Sequence, residues 1–261
     1  MIWNPENDGP LGDKVALVTG GSRGIGLASA RRMLERGASV VLTARKPEGL
    51  EAAREELAST GLDRVAVHAA HSSSESDMRA AFDLALERFS GMDIVVNNAA
   101  TNPSMDPLAE IDLALFDKIL DTNLRGYLLV AREGIRRMRE LGKGGVIINL
   151  STIAAEKAMQ GLGAYGISKA AVNSLTRTLA AELAPEGIRV NGVAPGLVRT
   201  RFSEALWKDE GMEQRMLQGI PLQRIAEPGD IAGAVAFLAS PNSDYISGDV
   251  IHVNGGLYFG Q

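Results

Sequence analysis

Cysteine is absent from this 261-residue chain. That excludes disulfides, thiolate nucleophiles and cysteine-ligated metals together. Histidine is scarce, with only His68, His71 and His252, and none lies within a run of carboxylates, so no metal site is expected. No stretch approaches the roughly 20 consecutive apolar residues that span a bilayer. The first residues, MIWNPENDGPLGDK, lack a basic segment followed by an apolar one, so neither a membrane partner nor export is expected and the location reads as cytoplasmic. Basic residues are not in excess either. The formal net charge is -5 and the pI is near 5.4, the wrong sign for a surface that neutralises nucleic-acid phosphates. A small molecule is the better partner.

What is present is an ordinary globular composition, 45% hydrophobic and 23% charged, which favours neither disorder nor a fibrous class. The length suits one α/β sheet with a large core. Short β-branched runs recur along the chain: VALVTG from Val15, SVVLTA from Ser39, RVAVHA from Arg64, DIVVNN from Asp93, GVIINL from Gly145, IRVNGV from Ile188 and VIHVNG from Val250. Between them lie segments of helical spacing, 24–36, 48–59, 75–89, 112–140, 164–184 and 229–239. Continuous apolar strands joined by helices predict a single doubly wound α/β domain, a parallel sheet of about seven strands covered on both faces. Residues 1–12, rich in Gly and Pro, read as a flexible lead-in, and residues 13–261 as the domain. The stretch 200–221, with an exposed-looking Trp207, reads as a lid or substrate loop.

In such a sheet ligands gather beyond the carboxyl ends of the strands. The first strand runs into TGGSRGIG, where Gly20, Ser22, Arg23, Gly24, Ile25 and Gly26 lead into a helix that begins near Ile25. Glycines there allow a tight turn and close approach of backbone to a pyrophosphate, and the helix amino end attracts the anion. The second strand ends in Ala44-Arg45, with no carboxylate to read a ribose 2′-hydroxyl. Arg23 and Arg45 could instead clamp a 2′-phosphate, which favours NADP over NAD; the alternative is that both are solvated surface charges.

Ser151 follows the fifth run, and Tyr165 and Lys169 stand four residues apart in AYGISKAAV. That spacing puts the phenol and the ammonium on one helix face. At ~5 Å and an effective dielectric of ~20 the ammonium favours phenolate by roughly 3 kcal/mol, enough to lower a phenol pKa by about 2 units. A tyrosine so tuned exchanges protons near neutral pH. Taken alone, such a pair is often an ordinary surface contact.

Together these features resemble the short-chain dehydrogenase/reductase family from about Lys14 to Gly256. The resemblance is carried by TGGSRGIG, NNAA at Asn97 to Ala100, Asn123 in TNLRG, Ser151, YGISK, and PGLVRT from Pro195 to Thr200. It implies a Rossmann-type enzyme that interconverts a carbonyl and an alcohol, with hydride supplied by NADP or NAD. Tyr165 would exchange the proton with the carbonyl oxygen, Ser151 would hydrogen-bond that oxygen, and Lys169 would tune the tyrosine and hold the nicotinamide ribose. Asn123 would support a water linked to Lys169. Asn98 and Ala99 would lie along the cofactor, with Pro195, Gly196, Val198 and Thr200 near the nicotinamide. It also implies a homodimer or homotetramer built on the helix carrying Tyr165 and its predecessor.

Two departures stand out. Ala100 replaces the family's usual Gly, which matters only if that position needs positive φ. At the end of the third strand His71 and Ser72 stand where an Asp often meets adenine, so His71 is expected to stack or donate there, or to be an ordinary loop residue. Phe202, Leu206, Trp207, Met212 and Met216 give the substrate loop an apolar character that suits an acyl chain, as in a 3-oxoacyl thioester, or a hydrophobic ring; the alternative is that they pack the loop down. A non-catalytic dinucleotide sensor is the competing class; an intact Ser151, Tyr165 and Lys169 set argues against it.

Overall fold

A computed structural model describes residues 10–258. Seven strands form one sheet: β1 (Val15–Thr19), β2 (Ser39–Ala44), β3 (Val65–Ala69), β4 (Ile94–Asn97), β5 (Gly145–Leu150), β6 (Ile188–Pro195) and β7 (Val250–Val253). Their spatial order is β3-β2-β1-β4-β5-β6-β7, and every pairing is parallel. All seven apolar runs are strands, as expected.

The strands read as unbroken apolar runs because both faces are covered. In β1, Val15 and Leu17 pack with Met78 and Phe82 of helix α3 (Glu75–Phe89). The alternate residues Ala16 and Val18 join Ala30 and Met33 of α1 (Gly24–Glu35) and Leu50 of α2 (Pro47–Gly61). Helix α5 (Gly126–Glu140) and α6 (Gly163–Leu183) complete the first layer, and α8 (Pro228–Ala239) the second. Each large apolar side chain buried this way stabilises by roughly 1.5–3 kcal/mol. The order leaves β1 in opposite directions through β2 and β4, so the switch point lies between the carboxyl ends of β1 and β4.

Four local expectations change. The helix expected over 112–140 is α4 (Leu113–Leu120), a π turn at Asp121–Arg125, and then α5. The wider turn rephases the faces on either side of Asn123. The 200–221 stretch is not wholly irregular: it holds α7 (Glu210–Gln218), capped by Asp209, whose carboxylate accepts from the Met212 amide at 2.9 Å. Trp207 is half-buried rather than exposed. Its Nε1 donates to Ser203 Oγ at 3.0 Å, and the Arg199 guanidinium stacks 4.9 Å from its ring centre. Of the expected lead-in, residues 1–9 lie outside the described residues, and its end is packed: Leu11 is fully buried and its amide donates to the Arg36 carbonyl at 2.8 Å.

Candidate active site

The glycine loop sits at the switch point. Gly20 and Gly24 have φ of +65° and +58°, where side chains are strained. Gly26 is needed for space instead: a Cβ there would lie 2.4 Å from the Gly20 carbonyl oxygen and 2.6 Å from Asn98 Nδ2. Asn98 ties the loop to β4, its Nδ2 donating to the carbonyls of Thr19 at 2.9 Å and Gly20 at 3.1 Å. The Thr19 hydroxyl accepts from the amides of Asn98 and Ala99 at 3.0 and 3.1 Å. Helix α1 starts at Gly24, one residue before the expected Ile25, with no acidic residue in its first turn to compete with an anion. Ala100 is not at positive φ, so its methyl adds no backbone strain.

Around this loop lie the ends of β2 and β3. Ser22 faces the first turn of α2, with its Cβ 3.6 Å from where a Cβ on Gly49 would stand. Arg23 and Arg45 are exposed, and neither forms an ion pair among the described residues. His71 is held by its neighbours: its amide donates to Asp77 at 2.9 Å and its Nδ1 lies 2.9 Å from Ser73 Oγ. Ser73 in turn donates to Asp121 at 2.6 Å and holds that carboxyl below its ordinary range. Ser72 is buried against the start of α5, its Oγ 3.2 Å from the position of a Cβ on Gly126.

Ser151 follows β5 directly, its amide donating to the Val193 carbonyl at 2.7 Å. Its hydroxyl is buried with no hydrogen-bond partner among the described residues, which leaves it able to bond a ligand. Lys169 is 1% exposed and donates to the carbonyl of Leu150, the residue before Ser151, at 2.7 Å. The same Nζ lies 5.9 Å from the Tyr165 ring centre. The Tyr165 ring tilts against Phe202, centroids 5.5 Å apart. Asn123, in the π turn, is fully buried. It accepts from the Thr101 amide at 2.8 Å and donates to the Thr101 carbonyl at 3.0 Å and to Ser168 Oγ at 3.1 Å. Its contact on α6, Ser168, is the residue before Lys169.

The electrostatics depart from expectation. Burial pushes the Lys169 ammonium down to about 7 and pushes the Tyr165 phenol up. The expected depression of Tyr165 by Lys169 does not appear, because Nζ is directed at other oxygens and desolvation outweighs the remaining attraction. One of those oxygens went unrecognised in the sequence: Tyr127 Oη accepts from Nζ at 2.8 Å. Its only available signal was an aromatic four residues after Asn123. Asn97, named only as part of NNAA, forms a buried chain with Asn149 and Thr176, which the sequence did not single out: Asn97 Nδ2 donates to Asn149 Oδ1 and Asn149 Nδ2 to Thr176 Oγ1, both at 2.9 Å.

The chain after β6 closes over the glycine loop. Pro195 ends the strand, Gly196 is packed where a Cβ would come within 2.9 Å of Asn254 Cα, and Val198 bridges to Ala226. Thr200 Cγ2 would lie 3.5 Å from a Cβ on Gly24, which brings the two expected cofactor segments together. Leu108, which the sequence did not single out, lies beside the start of α6, its Cβ 3.2 Å from a Cβ position on Gly163.

A parallel doubly wound sheet with a glycine cradle at its switch point defines a dinucleotide-binding class of protein. A family model described as enoyl-(acyl carrier protein) reductase matches residues 20–258. The rabbit (Oryctolagus cuniculus) and human proteins named dehydrogenase/reductase SDR family member 4 are each 40% identical over 247 residues. These matches cover 95% of this chain and 94% and 88% of the two relatives. A short-chain type dehydrogenase/reductase from Mycobacterium marinum is similar at TM-score 0.92 and 33% identity, over 98% of this chain and 100% of that one. A short-chain dehydrogenase/reductase of the glucose/ribitol dehydrogenase type from Brucella melitensis is similar at TM-score 0.89 and 32% identity, over 97% and 99%. The chain belongs to the short-chain dehydrogenase/reductase family. It is an oxidoreductase that acts between CH–OH and C=O groups with a nicotinamide dinucleotide. No helix among the described residues is long and apolar enough to cross a membrane.

Proposed function

We propose that this chain interconverts a ketone or 3-oxoacyl-type carbonyl and the corresponding secondary alcohol, with NADP(H) preferred and Tyr165 as the proton donor and acceptor. The observation that carries this reading is the buried, unpartnered Ser151 hydroxyl, joined through the Leu150 carbonyl to Lys169, which lies beside the Tyr165 ring.

A bound nicotinamide supplies or takes the hydride. In reduction, Tyr165 gives its proton to the carbonyl oxygen while Ser151 donates a hydrogen bond to the same oxygen. A phenol that burial keeps protonated is the right form for that step. The Lys169 ammonium then stabilises the phenolate left behind, and in oxidation that phenolate takes the alcohol proton. Asn123 holds the α6 backbone region through Ser168.

The glycine loop would hold the pyrophosphate, with Asn98 and Ala99 fixing its floor. Gly20 and Gly26, whose Cβ atoms would collide with backbone or Asn98, fit a ligand brought close to the main chain. Arg23 and Arg45, exposed and without ion pairs, support a 2′-phosphate and hence NADP. Leu108, Met105 and Phe202, all exposed near the start of α6, support an apolar substrate portion. Trp207 is spent on Arg199 and Ser203. Leu128 on α5 and Ile167 on α6 are exposed and support a homodimer or homotetramer, which light scattering would test. We read the chain from residue 13 onward as one domain and its location as cytoplasmic.

The test is a panel of ketones and 3-oxoacyl thioesters with NADPH and NADH, followed by loss of reduced-nicotinamide absorbance. Turnover with NADPH is expected. A clear NADH preference overturns the cofactor assignment, and no turnover of any carbonyl or alcohol overturns the reaction.

A further inference from the structure

Among the described residues Tyr127 is the largest side chain that is fully buried, at 1% exposure. A Phe or Leu would fill the same space without a hydroxyl to satisfy, and a buried hydroxyl costs free energy unless it is bonded. Here it is bonded in both directions: Oη accepts from Lys169 Nζ at 2.8 Å and donates to the Leu150 carbonyl at 3.1 Å. Nζ also donates to that carbonyl at 2.7 Å and lies 4.2 Å from the Tyr127 ring centre, within reach of a cation–π attraction.

The fold holds Tyr127 from several sides. Asn97 Nδ2 donates to the Tyr127 carbonyl at 3.1 Å, anchoring this turn of α5 to β4. The π turn sets the phase of the helix, so that Asn123 meets Ser168 and Tyr127, four residues on, meets Lys169. Two neighbouring residues of α6 are thus engaged by two residues one turn apart.

Resting on the reading that Lys169 serves the reaction, we infer that Tyr127 is a positioning residue of this site, whose hydroxyl keeps the Lys169 ammonium charged and aimed. The groups that face Nζ are Tyr127 from α5, Tyr165 from its own helix and the Leu150 carbonyl of β5. Among the described residues no carboxylate pairs with it. Two oxygens, with the Tyr127 and Tyr165 rings beside them, therefore compensate a buried charge whose pKa burial lowers to about 7. Burial holds the Tyr127 phenol well above its ordinary value, so it stays a neutral acceptor.

Tyr127→Phe keeps the ring and the packing and removes the acceptor. The Lys169 titration should then fall by about one pH unit, the scale of one hydrogen bond to a charged group. It can be read directly in the full chain by NMR of [13Cε]lysine, with the Lys169 signal assigned from Lys169→Met. In turnover, the alkaline limb of the kcat profile should move down by the same amount, so that kcat at pH 8 falls about tenfold while KM for the carbonyl changes less than about twofold. A merely structural role would lower Tm and leave the lysine titration in place. An unchanged Lys169 titration in Tyr127→Phe overturns the inference whatever the turnover shows. A lowered titration in a chain that reduces no carbonyl upholds it and defeats the proposed reaction instead.

Discussion

Asn98 and Gly26 are packed so closely that no side chain fits between them: a Cβ on Gly26 would stand 2.6 Å from Asn98 Nδ2 and 2.4 Å from the Gly20 carbonyl oxygen. Asn98 cannot retreat without giving up its bonds to the Thr19 and Gly20 carbonyls. Gly26→Ala should therefore open the cradle, destabilising the fold by ~1–3 kcal/mol as an overpacked site and weakening dinucleotide binding at least tenfold. Gly49→Ala, whose new methyl would meet only the Ser22 side chain at ordinary distances, Cβ at 3.6 Å and Oγ at 3.8 Å, should bind as the parent does. Calorimetric titration with NADP and thermal melts of both variants measure this; equal affinity for parent and Gly26→Ala would refute the packing argument.

Removing the Tyr165 hydroxyl tests the proposed proton transfer. The ring of Tyr165 packs on Phe202, and Tyr165→Phe keeps that contact. Turnover should fall by ~10²–10⁴, the usual worth of a positioned acid or base, with NADP affinity within about threefold of the parent. Single-turnover kinetics with NADPH separate the two quantities, and a variant that retains most of its rate would exclude Tyr165 from the chemistry.

The layers of the fold were legible because each strand is buried on both faces and so reads as a continuous apolar run, Val15 to Val18 being the plainest case. The glycine loop, Ser151, Tyr165 and Lys169 were legible because they sit immediately after strands or four apart on a helix. The π turn at Asp121–Arg125 was not, since one extra residue in a turn leaves the apolar spacing almost intact. Tyr127 was missed for a related reason: its role comes from a contact between α5 and α6, 42 residues apart in sequence, and a lone tyrosine on an apolar helix face reads as core. The direction of the Tyr165 shift differs from the sequence reading because spacing gives the distance between charges and says nothing of desolvation, which also lowers Lys169.

Lys169 makes stability depend on pH in a definite direction. Its ammonium titrates at about 7 in the fold against an ordinary 10.5. Between those values the unfolded chain binds the extra proton, so this group's contribution rises as pH increases from about 7 toward 10.5 and its full cost is present below 7. The slope is at most ~1.4 kcal/mol per pH unit. Lys169→Met should therefore stabilise the fold at pH 6, with an advantage that shrinks steadily from about pH 7, is reduced but still present at pH 9, and vanishes only toward pH 10.5. Denaturant melts of both chains across this range check it, and a difference that stays constant with pH would mean the ammonium is not depressed.

Arg23 and Arg45 carry the cofactor assignment and can be tested one at a time. Both are exposed and free of ion pairs among the described residues, so neither supports the fold through a charged partner. If Arg45 contacts a 2′-phosphate, Arg45→Ala removes a charge-assisted bond worth ~1.5–3 kcal/mol, about 10- to 100-fold in NADP affinity. NAD, which lacks that phosphate, should bind within about twofold of the parent. Arg23→Ala should act in the same direction, and the loss in both should shrink as salt rises, because exposed charges are screened. Melts should move little, since nothing in the fold leans on either guanidinium. Titrations of both nucleotides at low and high salt read all of these at once. If Arg45→Ala weakens NADP and NAD equally, the arginine serves the shared pyrophosphate or the surface, and the preference for NADP loses its basis.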